Sequence, residues 1–148
     1  MKTLMVMAGG TGGHVYPALA VAEYLRDRGV RIVWLGTRDG LESRVVPGAG
    51  FDILWMNIKG LRGKGLLRYL EMPFLLLRAL WQGVCAVRRA RPDALLGMGG
   101  FAAGPGAISG WLLRRPVVIH EANASAGLTN RILAPFARRV LCGFPRTV

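Results

Sequence analysis

The sequence has little cysteine, with two residues among 148, far apart at Cys85 and Cys142. It contains no C-x-x-C pair and no cluster of cysteine and histidine, which argues against a structural zinc site and a disulfide scaffold. We therefore expect two reduced thiols in the core of the fold. A chain of this length with 52% hydrophobic residues can bury a substantial core as one domain without covalent staples.

Several binding and catalytic signatures are also missing. The sequence has no P-loop, no G-x-S-x-G motif and no D-x-D pair that would hold a divalent metal beside a nucleotide.

No secretory signal is convincing, since the five apolar or near-apolar positions between Thr3 and the first glycines are too few for the apolar core of a signal peptide. The uncharged run from Ala94 to Leu113 has the length of a membrane span. Its glycines and Pro105 instead favour a buried strand, a glycine loop and a helix of small residues.

Acidic residues are scarce, because eight Asp and Glu stand against twenty Lys and Arg, a net charge of +12. The net charge is +1 over residues 1–56, +6 over 57–93 and +5 over 94–148. Such a chain is expected to bind anions such as nucleic acid, anionic lipid headgroups or a phosphorylated substrate, unless the charge is simply a solvated surface. Helix-turn-helix and RNP patterns are absent, so we expect no specific nucleic-acid partner.

Short apolar runs alternate with helical patterns along the whole chain. The predicted strands cover residues 3–7, 30–36, 51–58, 94–98, 116–120 and 139–142, and the predicted helices cover 17–28, 41–46, 66–89, 105–113 and 128–137. This alternation predicts an α/β fold with a doubly wound, Rossmann-like parallel sheet. In the long third helix, apolar residues at i+3 and i+4 spacing predict a core-facing side made of Leu66, Leu70, Phe74, Leu77, Trp81 and Val84.

Glycine-rich segments follow two predicted strands, where sheets of this kind bind their ligands. The first covers residues 9–13 and the second covers residues 97–106. Glycines let the backbone approach a phosphate and helix starts supply free N–H groups, so the two segments together could hold a diphosphate. The dinucleotide fingerprint is not met, because its third glycine would fall at Val15. Each segment is also compatible with a plain turn between strand and helix.

Three polar residues near predicted strand ends are candidates for chemistry. His14 directly follows the first glycine segment and is either a general base or a residue that caps the helix start. Glu121 is the sole acidic residue after position 93, and it is either a site residue or a salt-bridge partner. Asn123 can bond sugar hydroxyls or cap the next helix.

These segments occur in order with several other short motifs. They are Gly9-Gly-Thr-Gly-Gly-His14, Leu35-Gly-Thr37, Gly60-Leu-Arg-Gly-Lys64, Leu96-Gly-Met-Gly-Gly100, Gly104-Pro-Gly106, Val117-Val-Ile-His-Glu121 and Gly127-Leu-Thr-Asn130. In this set the chain closely resembles, over essentially its whole length, the N-terminal half of the MurG family. Members of that family convert lipid I to lipid II in peptidoglycan synthesis.

The resemblance implies the two-domain GT-B fold. Residues 1–148 would be the acceptor-binding N-terminal domain, and the C-terminal domain that binds most of the UDP-sugar would be absent from this chain. The implied enzyme is an inverting hexosyltransferase that needs no metal and no cofactor. It moves N-acetylglucosamine from UDP-N-acetylglucosamine to the muramoyl 4-hydroxyl of lipid I. We expect little or no transferase activity from the 148 residues alone.

The same resemblance assigns roles to residues of the motifs. It implies catalytic roles for His14 and Glu121, donor contacts for Thr11, Gly12, Gly13 and Asn123, and an acceptor-diphosphate site at Gly10, Gly99, Gly100 and Gly104. Two positions depart from the family pattern: Phe101 stands where tyrosine is frequent, and Ala122 stands where glutamine is common. No hydroxyl or amide role can be assigned at those two positions.

A basic segment beside apolar residues suggests contact with a membrane. The predicted contact residues are Arg62, Lys64, Arg68, Leu75 and Leu76, the last two lying off the predicted core face of the long helix. The expected partners are therefore lipid I, UDP-N-acetylglucosamine and an anionic membrane surface, at the cytoplasmic face of the bacterial inner membrane. The alternatives are a related GT-B transferase with another lipid acceptor, such as a diacylglycerol, and a non-catalytic nucleotide-binding module.

Overall fold

The computed structural model describes residues 1–58 and 66–145, and for residues 66–70 it describes the backbone alone. Strands and helices alternate along the described chain. The elements are β1 (Thr3–Ala8), α1 (Gly12–Arg26), β2 (Arg31–Thr37), α2 (Glu42–Gly48), β3 (Asp52–Met56), α3 (Leu66–Ala90), β4 (Ala94–Gly99), α4 (Ala103–Leu112), β5 (Val117–Glu121), α5 (Leu128–Leu133), a 3-10 turn (Ala134–Phe136) and β6 (Arg139–Cys142).

The six strands form one parallel sheet in the order β3-β2-β1-β4-β5-β6. The chain reverses its direction of progress across the sheet between β1 and β4. At such a switch point the loops after the two central strands diverge and leave a crevice for ligands. The predicted doubly wound parallel sheet is confirmed, and both glycine segments leave the sheet at this crevice.

The core has two layers, one on each face of the sheet. Helices α1 and α2 cover one face through residues such as Val15, Ala18 and Val46, and α3, α4 and α5 cover the other. The central strands are apolar on both faces, as expected for a buried parallel sheet. Trp34 is fully buried on the α1 face, and its Nε1 donates a hydrogen bond to the carbonyl oxygen of Ala8 at 2.8 Å. That bond fixes the end of β1, just before the first glycine segment.

Helix α1 begins at Gly12, five residues before the predicted start. Thr11 is extended, and its carbonyl oxygen accepts the N–H groups of His14 and Val15, each at 3.1 Å. Proline is frequent in the first helical turn, which is why Pro17 indicated a later start. It lies instead in the second turn, so Gly12, Gly13 and His14 belong to the helix. The last predicted helix is also shorter, because regular α-helix ends at Leu133 before a 3-10 turn.

The predicted core-facing side of α3 is wrong. Phe74, Leu77 and Trp81 are 75%, 64% and 68% exposed. The buried side of the helix carries small residues instead, among them Ala79 and Gly83, and faces α4. A Cβ added at Gly83 would lie 2.4 Å from Oγ of Ser109 on α4, so the two helices approach too closely for bulky side chains. Close helix packing, and not the spacing of large apolar residues, sets the rotation of α3.

Both cysteines are exposed free thiols, so the prediction that they lie in the core is wrong. Cys142 lies on β6, an edge strand whose four residues are all exposed. The uncharged run from Ala94 to Leu113 forms β4 and α4, as predicted. Across the described residues, no helix is both long enough and apolar enough to cross a membrane.

Candidate active site at the glycine turns

Two turns at the crevice form the centre of the candidate site. The first glycine turn (residues 9–11) follows β1, and the second glycine turn (residues 99–102) begins at the last residue of β4. The N–H of Gly9 donates to the carbonyl oxygen of Gly99 at 3.3 Å. Gly100 has a φ of +89°, and a Cβ there would lie 2.4 Å from the carbonyl oxygen of Gly9. The turns therefore pack backbone against backbone, which brings the starts of α1 and α4 together.

His14 lies in the first turn of α1 and packs against the second glycine turn. A Cβ added at Gly99 would lie 2.6 Å from Nδ1 of His14. That nitrogen is buried and has no hydrogen-bond partner among the described residues. This packing fixes the orientation of the imidazole beside the two glycine turns.

Glu42 is part of the site, although no sequence pattern indicated it. The side chain is fully buried at the start of α2. Its Oε2 accepts the N–H of Gly10 at 2.9 Å, and its Oε1 accepts the N–H and the Oγ1 hydroxyl of Thr37 at 2.9 and 2.8 Å. The carboxylate thus ties the first glycine turn to the end of β2. Gly10 lies 32 positions away, so no local spacing indicated this contact.

Glu121 organises the loop after β5. Its Oε1 accepts the backbone N–H of Asn123 at 2.9 Å and the Nδ2 of the same residue at 2.8 Å. Its Oε2 accepts the N–H of Gly127 and Nδ2 of Asn130, each at 2.9 Å. Nδ2 of Asn130 also lies 3.2 Å from the carbonyl oxygen of His120. Asn130 was not predicted as a site residue, although the segment 127–130 that contains it is one of the motifs that carry the resemblance.

The hydrogen bonds of Glu121 determine its charge. Burial raises the pKa of the carboxyl, but the bonds from Asn123, Gly127 and Asn130 together lower it more, so the pKa lies below its ordinary value. Glu121 is therefore ionised at neutral pH, and its oxygens are occupied by protein donors. This arrangement favours a role in positioning Asn123 over a role in proton transfer.

The remaining predicted glycines differ in what surrounds them. A Cβ at Gly12 would lie 3.0 Å from the ring of Tyr16, an exposed side chain that would have to shift slightly. A Cβ at Gly13 or Gly104 would meet just one side-chain atom, at 3.9 Å, from Thr11 or Thr129 respectively. Alanine is favoured over glycine in helices, so neither glycine is required by the packing of the described chain. Both leave the helix backbone open to close approach.

The predicted membrane contacts are partly described. Arg62 and Lys64 lie outside the described residues, and Arg68 lies in α3 where only the backbone is described. Leu75 and Leu76 are exposed. The most exposed apolar residues of α3 are those that were assigned to the core, so the apolar surface extends over Phe74, Leu77 and Trp81 as well.

No group of three or more His, Cys, Asp or Glu side chains within residues 1–58 and 66–145 could hold a metal ion. What the described site does supply is backbone N–H groups at two helix starts, an imidazole, and amide side chains fixed by a buried carboxylate. These groups are suited to binding an anion and to moving a proton.

Comparison with known families gives one match over most of the chain. Residues 4–142 match the glycosyltransferase family 28 N-terminal domain. A protein of Alkalilimnicola ehrlichii is 64% identical over 142 residues, and one of Aromatoleum aromaticum is 57% identical over 148. Both are named UDP-N-acetylglucosamine--N-acetylmuramyl-(pentapeptide) pyrophosphoryl-undecaprenol N-acetylglucosamine transferase. The matches cover 96% and 100% of this chain but 40% and 42% of those proteins.

Solved structures give the same picture of the fold. The crystal structure of Acinetobacter baumannii MurG matches with a TM-score of 0.89 and 43% identity, over 100% of this chain and 43% of that one. A UDP-GlcNAc 2-epimerase from Neisseria meningitidis, bound to UDP-GlcNAc, matches with a TM-score of 0.69. At 15% identity, that second likeness concerns the fold alone. The expected fold, the N-terminal half of a GT-B glycosyltransferase, is confirmed.

Proposed function

Because the chain belongs to glycosyltransferase family 28, we propose that it is the acceptor-binding domain of a UDP-N-acetylglucosamine-dependent transferase. The acceptor is lipid I, and the product is lipid II. The 4-hydroxyl oxygen of the muramoyl group forms a bond to the anomeric carbon of N-acetylglucosamine. The bond from that carbon to UDP breaks, and the configuration inverts. A second domain, as in the longer relatives, completes the donor site.

The contact between the two glycine turns carries this proposal. It places the starts of α1 and α4 side by side, where free N–H groups and the positive ends of two helix dipoles favour an anion. Gly10, Gly99, Gly100 and Gly104 would face the diphosphate of the acceptor. The open space at Gly104 supports this assignment, because a diphosphate needs close approach to the backbone there.

His14 is the base that we propose for the 4-hydroxyl. Its imidazole is held against the second glycine turn, and Nδ1 is buried without a partner in the described chain. An acceptor bound at the turns would place its hydroxyl beside this imidazole, which would take the hydroxyl proton as the new bond forms.

On the donor side, Thr11, Gly12, Gly13 and Asn123 would face the UDP-sugar from across the cleft. Glu121 contributes by fixing Asn123 through two hydrogen bonds. Since Glu121 is ionised and fully bonded, we assign it to positioning and leave proton removal to His14.

We further propose that α3 rests on an anionic membrane at the cytoplasmic face, which brings the domain to its lipid-linked acceptor. Phe74, Leu77 and Trp81 are exposed. Residues 57–93, which include this helix, carry a net charge of +6. Exposed apolar groups beside basic residues are the usual means of peripheral membrane binding. Co-sedimentation with anionic vesicles tests this: Phe74→Ser with Trp81→Ser should reduce binding. Tyr24→Ser, which changes a 57% exposed aromatic residue on α1 at the opposite face of the sheet, should not.

Titration calorimetry of the chain with a short-chain, water-soluble lipid I analogue tests the proposed function. We expect saturable binding that weakens when the diphosphate is replaced by a monophosphate, and weakens again in His14→Ala. UDP-N-acetylglucosamine and NADH serve as comparison ligands. Absence of binding by a folded chain would contradict the acceptor assignment, and tight binding of NADH would favour a dinucleotide-binding module instead.

A further inference from the structure

An apolar groove of about 440 Å³ lies between α3, α4 and α5, beside the second glycine turn. Its walls include Leu76 and Leu80 of α3, Ile108 of α4, and Ile132 of α5. Among the described residues that line the groove, Thr129 is the one polar side chain and none is charged. A sugar, a nucleotide or a peptide would leave polar groups unpaired there, so the groove suits a hydrocarbon ligand.

Two boundaries of the groove indicate what that hydrocarbon is. Gly100 and Gly104 border it, and these are glycines that we assign to the acceptor diphosphate. Leu75 and Leu76 border it as well, and they belong to the exposed apolar side of α3. The groove therefore adjoins both the proposed anion site and the proposed membrane-facing surface. A ligand with a diphosphate at one end and a hydrocarbon chain at the other matches this continuity.

We propose that the groove binds the isoprene units nearest the diphosphate of the lipid-linked acceptor. This inference rests on the proposed function, because it takes the glycine turns as the diphosphate site. Its volume sets a length: a 150 Å³ apolar cavity holds one benzene, so about 440 Å³ holds roughly three groups of that size, or about three isoprene units. The remaining isoprene units of the acceptor would stay in the membrane.

Chain-length dependence tests the proposal with soluble probes. Calorimetry would compare inorganic diphosphate with the geranyl, farnesyl and geranylgeranyl diphosphates, which carry two, three and four isoprene units. We expect affinity to rise from inorganic to geranyl to farnesyl diphosphate, by about tenfold or more per step. We expect little further gain for geranylgeranyl diphosphate, because its fourth unit lies outside the groove.

Variants of α5 separate the groove from the anion site. Ile132 is 55% exposed, so Ile132→Glu introduces a charge into the groove without burying it in the core. We expect farnesyl diphosphate to bind about tenfold or more weakly, while inorganic diphosphate binds as before. Leu128→Glu is the matched control, because Leu128 is 75% exposed on α5 but does not line the groove.

The possible outcomes distinguish this inference from the proposed function. Equal affinities for inorganic and farnesyl diphosphate, or unchanged farnesyl diphosphate binding in Ile132→Glu, would overturn the groove and leave the diphosphate site intact. Binding of farnesol that is lost in Ile132→Glu, without binding of any diphosphate, would support the groove and overturn the diphosphate site. Absence of binding by every probe to a chain with a native circular dichroism spectrum would overturn both.

Discussion

Glu42 offers the sharpest test of how the first glycine turn is held. Its buried carboxylate accepts three hydrogen bonds, from the N–H of Gly10 and from the N–H and hydroxyl of Thr37. In Glu42→Ala two partly buried backbone donors lose their acceptor, at up to about 1–3 kcal/mol each. The removed side chain also leaves a cavity. We expect a loss of about 3–5 kcal/mol, a large share of the roughly 5–15 kcal/mol that stabilises a typical domain.

Glu42→Gln isolates the link to Gly10. An amide has one acceptor oxygen, so whichever way it is turned, one backbone N–H faces its NH₂ group. The orientation with the oxygen toward Thr37 keeps two of the three bonds, so Gly10 is the amide expected to lose its partner. The cost should be about 1–3 kcal/mol, with faster hydrogen exchange at the Gly10 amide.

Urea unfolding and amide exchange followed by NMR measure both effects. Glu23→Gln, an exposed carboxylate on α1, is the matched control and should change stability by less than about 0.5 kcal/mol. If Glu42→Ala unfolds within about 1 kcal/mol of the parent chain, or if Gly10 exchanges at the parental rate in Glu42→Gln, the assigned role of this carboxylate is wrong.

Three further predictions concern helix glycines, Glu121 and the packing of α3. Gly104→Ala should stabilise the chain by up to about 1 kcal/mol in thermal melts yet weaken binding of the lipid I analogue, whereas Gly48→Ala, where an added Cβ would meet nothing within 4 Å, should leave binding unchanged. The pKa of Glu121 is lower in the folded chain than its ordinary value of 4.5. The ionised carboxylate therefore contributes fully to the free energy of unfolding above pH 4.5, and this contribution is lost as the pH falls through the folded-state pKa. The stability gap between the parent chain and Glu121→Gln in urea should therefore narrow below about pH 4, and a constant gap would contradict this. Gly83→Leu should lower the free energy of unfolding by at least about 1–3 kcal/mol, because the larger side chain overpacks against α4. Phe74→Ala should lower it by less than about 0.5 kcal/mol. If Phe74→Ala proved the more destabilising of the two, the core face of α3 predicted from the sequence would be the right one.

The sheet and the position of its glycine turns could be predicted from sequence because both depend on local patterns. Apolar runs of strand length alternate with helical segments, and glycines follow the two strands that meet at the switch point. The start of α1 could not be predicted, since Pro17 is a weak marker compared with the bonds made by the Thr11 carbonyl. Glu42 and Asn130 were missed because their partners are brought near by the fold and not by spacing along the chain.

The wrong prediction for α3 has a physical cause that bears on function. Hydrophobic periodicity identifies the side of a helix that carries large apolar residues, and in most helices that side is buried. In α3 the helix packs on α4 through Ala79 and Gly83, and the large residues face outward. Folding stability does not require exposed residues such as Phe74 and Trp81, since removing them should cost little. Contiguous apolar surface of this kind marks an interaction site. Where a local rule such as hydrophobic periodicity fails and the rest of the sequence agrees with the fold, a functional surface is expected. In this chain the surface where the rule fails adjoins the apolar groove and the second glycine turn.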